Sequence, residues 1–262
     1  MTQINLILVE GSNDKFILIE LIKRKLSSTI NNPARDDTDK ALIIKHNDTR
    51  LRIEQSGSKK EVVYDLEFIF SGANDSQQQT QDKNAIIEEL RVRLMQQDDE
   101  NADIVIGLIL DADNDAQKTY TDIHKILSKA YPDVVLTLPT EGLVLHAVDQ
   151  PSIGVWIMPN NRDQGTIEDF FISLIRPDDD LWQEVQHTIS AVRKKAALKP
   201  LMFTEKDLRK AQIFTWLAWQ KNPVVQMSKA IERNHPALDL DCEPVELFIH
   251  WIKRLFNLPD SA

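Results

Sequence analysis

The chain has one cysteine among its 262 residues, Cys242, which excludes intramolecular disulfides and any zinc ribbon or Cys-rich cluster. It has no uninterrupted apolar run of membrane-spanning length. The opening residues, MTQINLILVEGSNDK, lack the basic region of a signal peptide, and their short apolar run ends in an acid. A cytoplasmic protein with no membrane partner is the expectation. Positive charge is in deficit: 31 Lys+Arg stand against 41 Asp+Glu, a net charge of −10. A protein that coats nucleic acid or an anionic membrane with its whole surface is therefore disfavoured. A nucleic-acid enzyme with a local basic track and a metal centre is not. What the chain does have is apolar material, 42% of its residues, enough for a core and against wholesale disorder. Its length suits one large domain, or one domain with a smaller appendage.

Residues 4–9 (INLILV) and 104–110 (IVIGLIL) are short apolar runs with the character of buried strands. After the first, Ser12 and Asn13 offer helix caps, and Phe16, Ile19, Ile22 and Leu26 recur at helical spacing. Residues 27–40 read as a loop, 41–70 as strands and a hairpin, and 71–82 as an exposed loop. Ile86, Ile87, Leu90 and Leu94 mark an amphipathic helix, with Glu88, Glu89, Arg91 and Arg93 facing water. A helix over 117–130, strands over 134–138 and 153–158, and a helix opening at Thr166-Ile167-Glu168-Asp169 follow. Strands alternating with helices indicate an α/β fold with a mainly parallel sheet. From 180 to 257 the periodicity is helical, so a sheet domain over 1–175 and a helical C-terminal subdomain over 176–262 are expected.

The informative feature is where the acids sit. Glu10 follows the first apolar run, and Asp111 and Asp113 follow the later one. In a parallel α/β sheet the carboxyl ends of strands share one edge, where ligands bind. An extended Asp111-Ala112-Asp113 would send both acids to the same side. Two carboxylates about 4 Å apart repel by about 4 kcal/mol at an effective dielectric near 20. Such a cluster takes up protons or a divalent cation. Oxygen donors without Cys or His favour magnesium or manganese over zinc, and hence phosphate chemistry. Each acid also has a structural reading. Asp14, Asp115 and Asp169 suit helix N-termini, and Thr166-Ile167-Glu168-Asp169 fits a capping box.

Taken together, Leu8-Val9-Glu10-Gly11-Ser12-Asn13-Asp14 and the later Leu110-Asp111-Ala112-Asp113 resemble the Toprim domain, over roughly residues 1–175. Toprim is a Rossmann-like metal-binding module shared by topoisomerases, bacterial primases, small ribosomal-RNA maturases and the overcoming-lysogenization-defect (OLD) nucleases. GVWIMPNN…GTIEDFF and FTWLAWQKNP are similar to a bacterial family of Toprim-like proteins of uncharacterised function. The resemblance implies Glu10 as general base or metal ligand, and Asp111 and Asp113 as magnesium ligands. Asp14 matches an additional acid of OLD-type sites. Thr166 and Glu168 match that group's small-hydroxyl-x-Glu element, which serves a second metal. The late lysine of those sites, which stabilises developing charge, is assigned to Lys210, ahead of Lys206. Two such metals activate water and stabilise the leaving oxygen in phosphodiester hydrolysis.

The departures narrow the function. Tyr64, Tyr120 and Tyr131 come with no room for a topoisomerase's DNA-gating domain, and one cysteine cannot build a primase's zinc module. The Gly-x-x-x-x-Gly-Lys loop of the OLD ATPase does not occur here, which leaves any ATPase to a partner protein. Residues 98–180 hold five Lys/Arg against seventeen Asp/Glu, whereas 190–221 hold eight against two. In that second stretch Arg193, Lys194, Lys195, Lys199, Lys206 and Arg209 are candidate contacts to DNA or RNA phosphates. They read equally as a solvated helical face. Trp216 and Trp219 read as helix core rather than a base-stacking platform, and Lys23-Arg24-Lys25 as the end of the first helix. The six histidines have no metal-ligand spacing, and Thr140-Glu141-Gly142 reads as a turn. The expectation is a Toprim-fold nuclease dependent on Mg2+ or Mn2+, in nucleic-acid processing or defence against phage. The alternative is a non-catalytic Toprim-fold protein that binds metal, nucleotide or a partner.

Overall fold

The two apolar runs lie side by side. Ile4–Val9 (β1) pairs in parallel with Ile104–Asp111 (β5), and Val9 stands opposite Ile109. The computed structural model describes residues 4–28, 41–46, 50–56, 62–70, 83–95, 104–146, 150–196, 205–224 and 226–258. Ser12–Ser28 (α1) follows β1, and Ala41–His46 (β2), Arg50–Ser56 (β3) and Val62–Phe70 (β4) form an antiparallel meander. Lys83–Met95 (α2) precedes β5. Ala116–Ala130 (α3), Leu143–Leu145 (β6), Ser152–Met158 (β7) and Ile167–Ser173 (α4) follow it. The C-terminal part is helical: Asp180–Ala196 (α5), Glu205–Trp219 (α6), Met227–Glu232 (α7) and Glu243–Phe256 (α8). The expected loop over 71–82, most of that over 27–40, and the turn at 57–58 lie outside the described residues.

The strands form one mixed sheet in the order β2-β3-β4-β1-β5-β7-β6. Its centre, β4-β1-β5-β7, is parallel throughout, and β3 and β6 are antiparallel to their neighbours. Side chains alternate between two helical layers, as the pleat requires. Ile7 and Val9, Val105 and Ile109, and Trp156 and Met158 face the core shared with α1 and α4–α8. Leu8, Ile106, Leu108, Leu110, Val155 and Ile157 face α2 and α3. This parity decides the direction in which each strand-end acid leaves the sheet.

The last helix lies close against the strands. Gly107 and Gly154 are register partners on β5 and β7, and a Cβ at Gly154 would come within 2.5 Å of Leu255 Cδ2 and 2.9 Å of Trp251 Cζ2. Two glycines side by side let α8 settle on the sheet, and the Trp251 indole N–H donates to the Leu143 carbonyl at 2.9 Å. The helices after Pro177 thus share one core with the sheet.

Two expectations need correction. Residues 134–138 are irregular with a bend at 136–137, not strand. Val134 and Leu138 are buried, but the Tyr120 hydroxyl donates to Val135 O at 2.7 Å and the Gln117 amide to Leu136 O at 3.0 Å, where a strand would have ladder partners. Trp216 is core, its indole N–H donating to Asp179, whereas Trp219 is 46% exposed. In α1, Ile19, Ile22 and Leu26 are buried but Phe16 is turned to solvent, under the Lys15 ammonium at 4.4 Å. Lys25 does end that helix, paired with Asp241 and Glu246. No described helix is long and apolar enough to cross a membrane.

Candidate functional site

Because β1 and β5 are parallel neighbours in register, their carboxyl ends bring Glu10 beside Asp111. Glu10 Oε1 accepts the Asp111 backbone N–H at 2.9 Å. Glu10 keeps the parity of Leu8 and reaches toward α2. Asp111 keeps the parity of Ile109 and reaches the other way, where its Oδ1 accepts the N–H of Ile167 at the start of α4, again at 2.9 Å. Asp14, in the first turn of α1, accepts the Gly11 N–H at 3.0 Å. An acid in a helix's first turn suits the dipole, so the local sequence alone aims this carboxylate at the strand end.

Asp113 does not follow the extended alternation expected of it. Its φ is +55°, a left-handed turn that aspartate tolerates. The chain pairs there with Gly165 through reciprocal backbone hydrogen bonds of 2.9 Å. That bridge ties the Asp111–Asp113 loop to the loop entering α4. The side chain of Asp113 faces the α2 side, where Lys83 Nζ donates to its Oδ2 at 2.6 Å and to the Asp111 carbonyl at 2.6 Å. The same ammonium stands 3.6 Å from Glu10 Oε1. Sequence reasoning missed Lys83, the first residue of an otherwise ordinary amphipathic helix.

At α4 the Thr166 hydroxyl donates to Glu168 Oε2 at 2.7 Å. Asp169 accepts the Thr166 N–H at 3.1 Å, the capping-box contact. Lys210 and Arg209 both reach this helix from α6. Lys210 Nζ is 3.6 Å from Glu168 Oε1, and Arg209 Nε donates to Asp169 Oδ1 at 2.8 Å. Arg209, expected as a surface contact to phosphate, is thus engaged at the rim of the acidic group. Arg193, Lys194 and Lys195 lie in the last turn of α5. Lys199 and the side chain of Lys206 lie outside the described residues. Asp115 caps α3 by accepting the Lys118 N–H at 3.0 Å. Glu141 occupies a turn and offers its carbonyl to Arg254 at 3.3 Å.

Electrostatics identify one interacting group. Burial, then the charges of Asp14, Glu10 and Glu168, hold the Asp111 carboxyl well above the usual carboxylate range, against the pull of the Ile167 N–H. Burial, Glu168 and Glu10 push Asp14 up to about 7, against the Gly11 N–H and Lys210. Burial raises Glu10 as well, opposed chiefly by Lys83 and the Asp111 N–H. Glu10, Asp14, Asp111 and Glu168 are therefore close enough to feel one another's charge.

Their chemistry fits a hard divalent cation: the donors are carboxylate oxygens with one hydroxyl, and the group carries more negative charge than it neutralises. In the arrangement described, no three Asp, Glu, His or Cys side chains among the described residues stand close enough together to hold a metal ion. Lysines stand among the acids instead, Lys83 at Glu10 and Asp113, and Lys210 at Glu168. Beside Asp113, a cleft of about 310 Å³ opens between α2 and α3, lined by Lys83, Asn84, Asp115 and Lys118 among others.

Fold and site together define an α/β protein with an acidic group at the carboxyl edge of a largely parallel sheet. The chain belongs to the family described as a protein of unknown function, DUF3226, whose model matches residues 4–257. No curated protein and no solved structure matches it.

Proposed function

We propose that this chain is a Toprim-type, divalent-metal-dependent phosphodiesterase acting on DNA or RNA. The observation that carries the reading is the Glu10–Asp111 hydrogen bond at the carboxyl edge of β1 and β5, with Asp14 and Glu168 near enough for their charges to raise Asp111, and Lys210 paired with Glu168. Magnesium or manganese would be held by Asp14, Asp111 and Glu10, with Asp113, Glu168 and Thr166 around them. Once bound, the ion acidifies water and offsets charge on a phosphoryl oxygen.

The chain's own residues supply the rest. The Asp111 N–H fixes the Glu10 carboxylate, and burial raises its pKa, the direction that makes a carboxylate a better proton acceptor. The Ile167 N–H fixes Asp111, so the ligand set is held by backbone as well as by packing. Lys210 is about half exposed and is free to turn from Glu168 to a phosphate oxygen, where a cation stabilises the charge that builds during cleavage. Arg193, Lys194 and Lys195 would hold the polynucleotide backbone without reading sequence.

One observation favours the second reading, a non-catalytic metal-, nucleotide- or partner-binding protein: lysines and an arginine already neutralise several of the acids. Labelled single- and double-stranded DNA and RNA, incubated with Mg2+, Mn2+ or EDTA, separate the two. Cation-dependent fragments that vanish in folded Asp111→Asn support the nuclease. Intact substrates under every condition support the second reading.

A further inference from the structure

We propose that Lys83 is a counter-ion the site carries for itself, and that a divalent cation must displace it to engage Glu10 and Asp113. The inference rests on the reading that these acids hold such a cation. Lys83 Nζ sits among three oxygens from two strand ends: the Asp111 carbonyl and Asp113 Oδ2, each at 2.6 Å, and Glu10 Oε1 at 3.6 Å. A carbonyl and two carboxylates are the donors a hard cation takes. The side chains of Lys83 and Glu10 are 21% and 12% exposed, while Asp113, at 48%, meets water.

Glu168 is paired with Lys210 and Asp169 with Arg209. Asp14 and Asp111 accept backbone N–H groups, and among the described residues neither has an ion pair. With Lys83 in place, a cation arriving at Asp14 and Asp111 meets a like charge lodged between Glu10 and Asp113. If Lys83 withdraws toward the cleft beside α2, whose wall it forms, those two carboxylates are released to join the other two. Lys83 thus makes the metal-free site tolerable and sets the cost of loading it.

The test is calorimetric titration of the full chain with MnCl2, alongside thermal denaturation in EDTA and in saturating Mn2+. Lys83→Met removes the charge, Lys83→Gln removes it but keeps a donor for the Asp111 carbonyl, and Lys83→Arg keeps the charge. The expected result is Mn2+ binding tighter by on the order of tenfold in the Met and Gln variants, with Arg close to wild type. The charge-free variants should also melt lower in EDTA, a deficit that saturating Mn2+ removes. Wild-type binding that is unchanged or weakened in both charge-free variants overturns the proposal and leaves the metal reading standing. Absence of Mn2+ binding in every variant overturns both. Should Met fail to fold, the Gln comparison decides alone.

Discussion

Glu10 and Asp111 are 101 positions apart in sequence and joined by one hydrogen bond, from the backbone N–H of the aspartate to the carboxylate of the glutamate at 2.9 Å. The contact orients Glu10 and locks the ends of β1 and β5 in register. Strand pairing thus places two of the four acids, while Asp14 comes from α1 and Glu168 from α4.

Asp14, Asp111 and Glu10 are all raised in the folded state, and Asp14 contributes one separable part of the pH dependence of the metal-free protein. Its carboxyl is raised from 3.8 to about 7, so the folded state holds that proton more tightly than the unfolded state does. The resulting stabilisation is complete below about pH 4 and is lost as pH rises through about 7. Urea denaturation in EDTA is expected to show stability falling across that window. Asp14→Asn should flatten the fall by a few kcal/mol, since each tenfold difference in proton affinity between the two states is worth about 1.4 kcal/mol. Identical slopes in wild type and Asp14→Asn would remove Asp14 from the account.

Gly165 holds the loop that delivers Thr166 and Glu168. Its φ is +139°, and a Cβ there would stand 2.8 Å from Asp169 Oδ2. Gly165→Ala is expected to cost about 1–3 kcal/mol, to loosen the bridge to Asp113, and to lower cleavage more than the stability loss explains. Denaturation and cleavage rate, measured below the melting transition, check both effects.

Gly154 tests how α8 is seated. Gly154→Val places methyl groups where Leu255 and Trp251 already lie, and overpacking of this kind costs about 1–3 kcal/mol or more. The expected outcome is a lower denaturation midpoint with metal affinity retained in the folded fraction. An unchanged midpoint would mean that α8 is not held against β7.

Lys210 is expected to matter for rate rather than for folding, because it is half exposed and its ion pair with Glu168 is long, at 3.6 Å. Lys210→Ala should lower the cleavage rate about 10²–10³-fold with little change in melting temperature, and Lys210→Arg should recover part of the loss. A rate within twofold of wild type would assign Lys210 to the surface.

Much of this arrangement was legible in the sequence because parallel strands announce themselves. INLILV and IVIGLIL end at acids, and the edge shared by parallel strands gathers those acids without further instruction. The capping role of Asp115, the capping box at Thr166 and the helical C-terminal part were equally readable from local chemistry. Lys83 was not, since its partners lie 28 and 30 residues downstream and nothing local distinguishes it from a solvated lysine. The direction of Asp113 escaped for another reason. Alternation assumes extended backbone, and the left-handed turn at Asp113 is set by its bridge to Gly165. Val134 and Leu138 mimic a strand because burial beside α3 and pairing in a sheet select the same residues.

The central claim, that Asp14, Asp111 and Glu10 form one cation site, is tested most directly by crystallography with Mn2+ and an anomalous difference map. The account predicts a peak bounded by these three carboxylates, with Lys83 Nζ moved away from Asp113, and no such peak in Asp111→Asn. A map without a peak at that edge, with Lys83 still between Glu10 and Asp113 at saturating Mn2+, would contradict it.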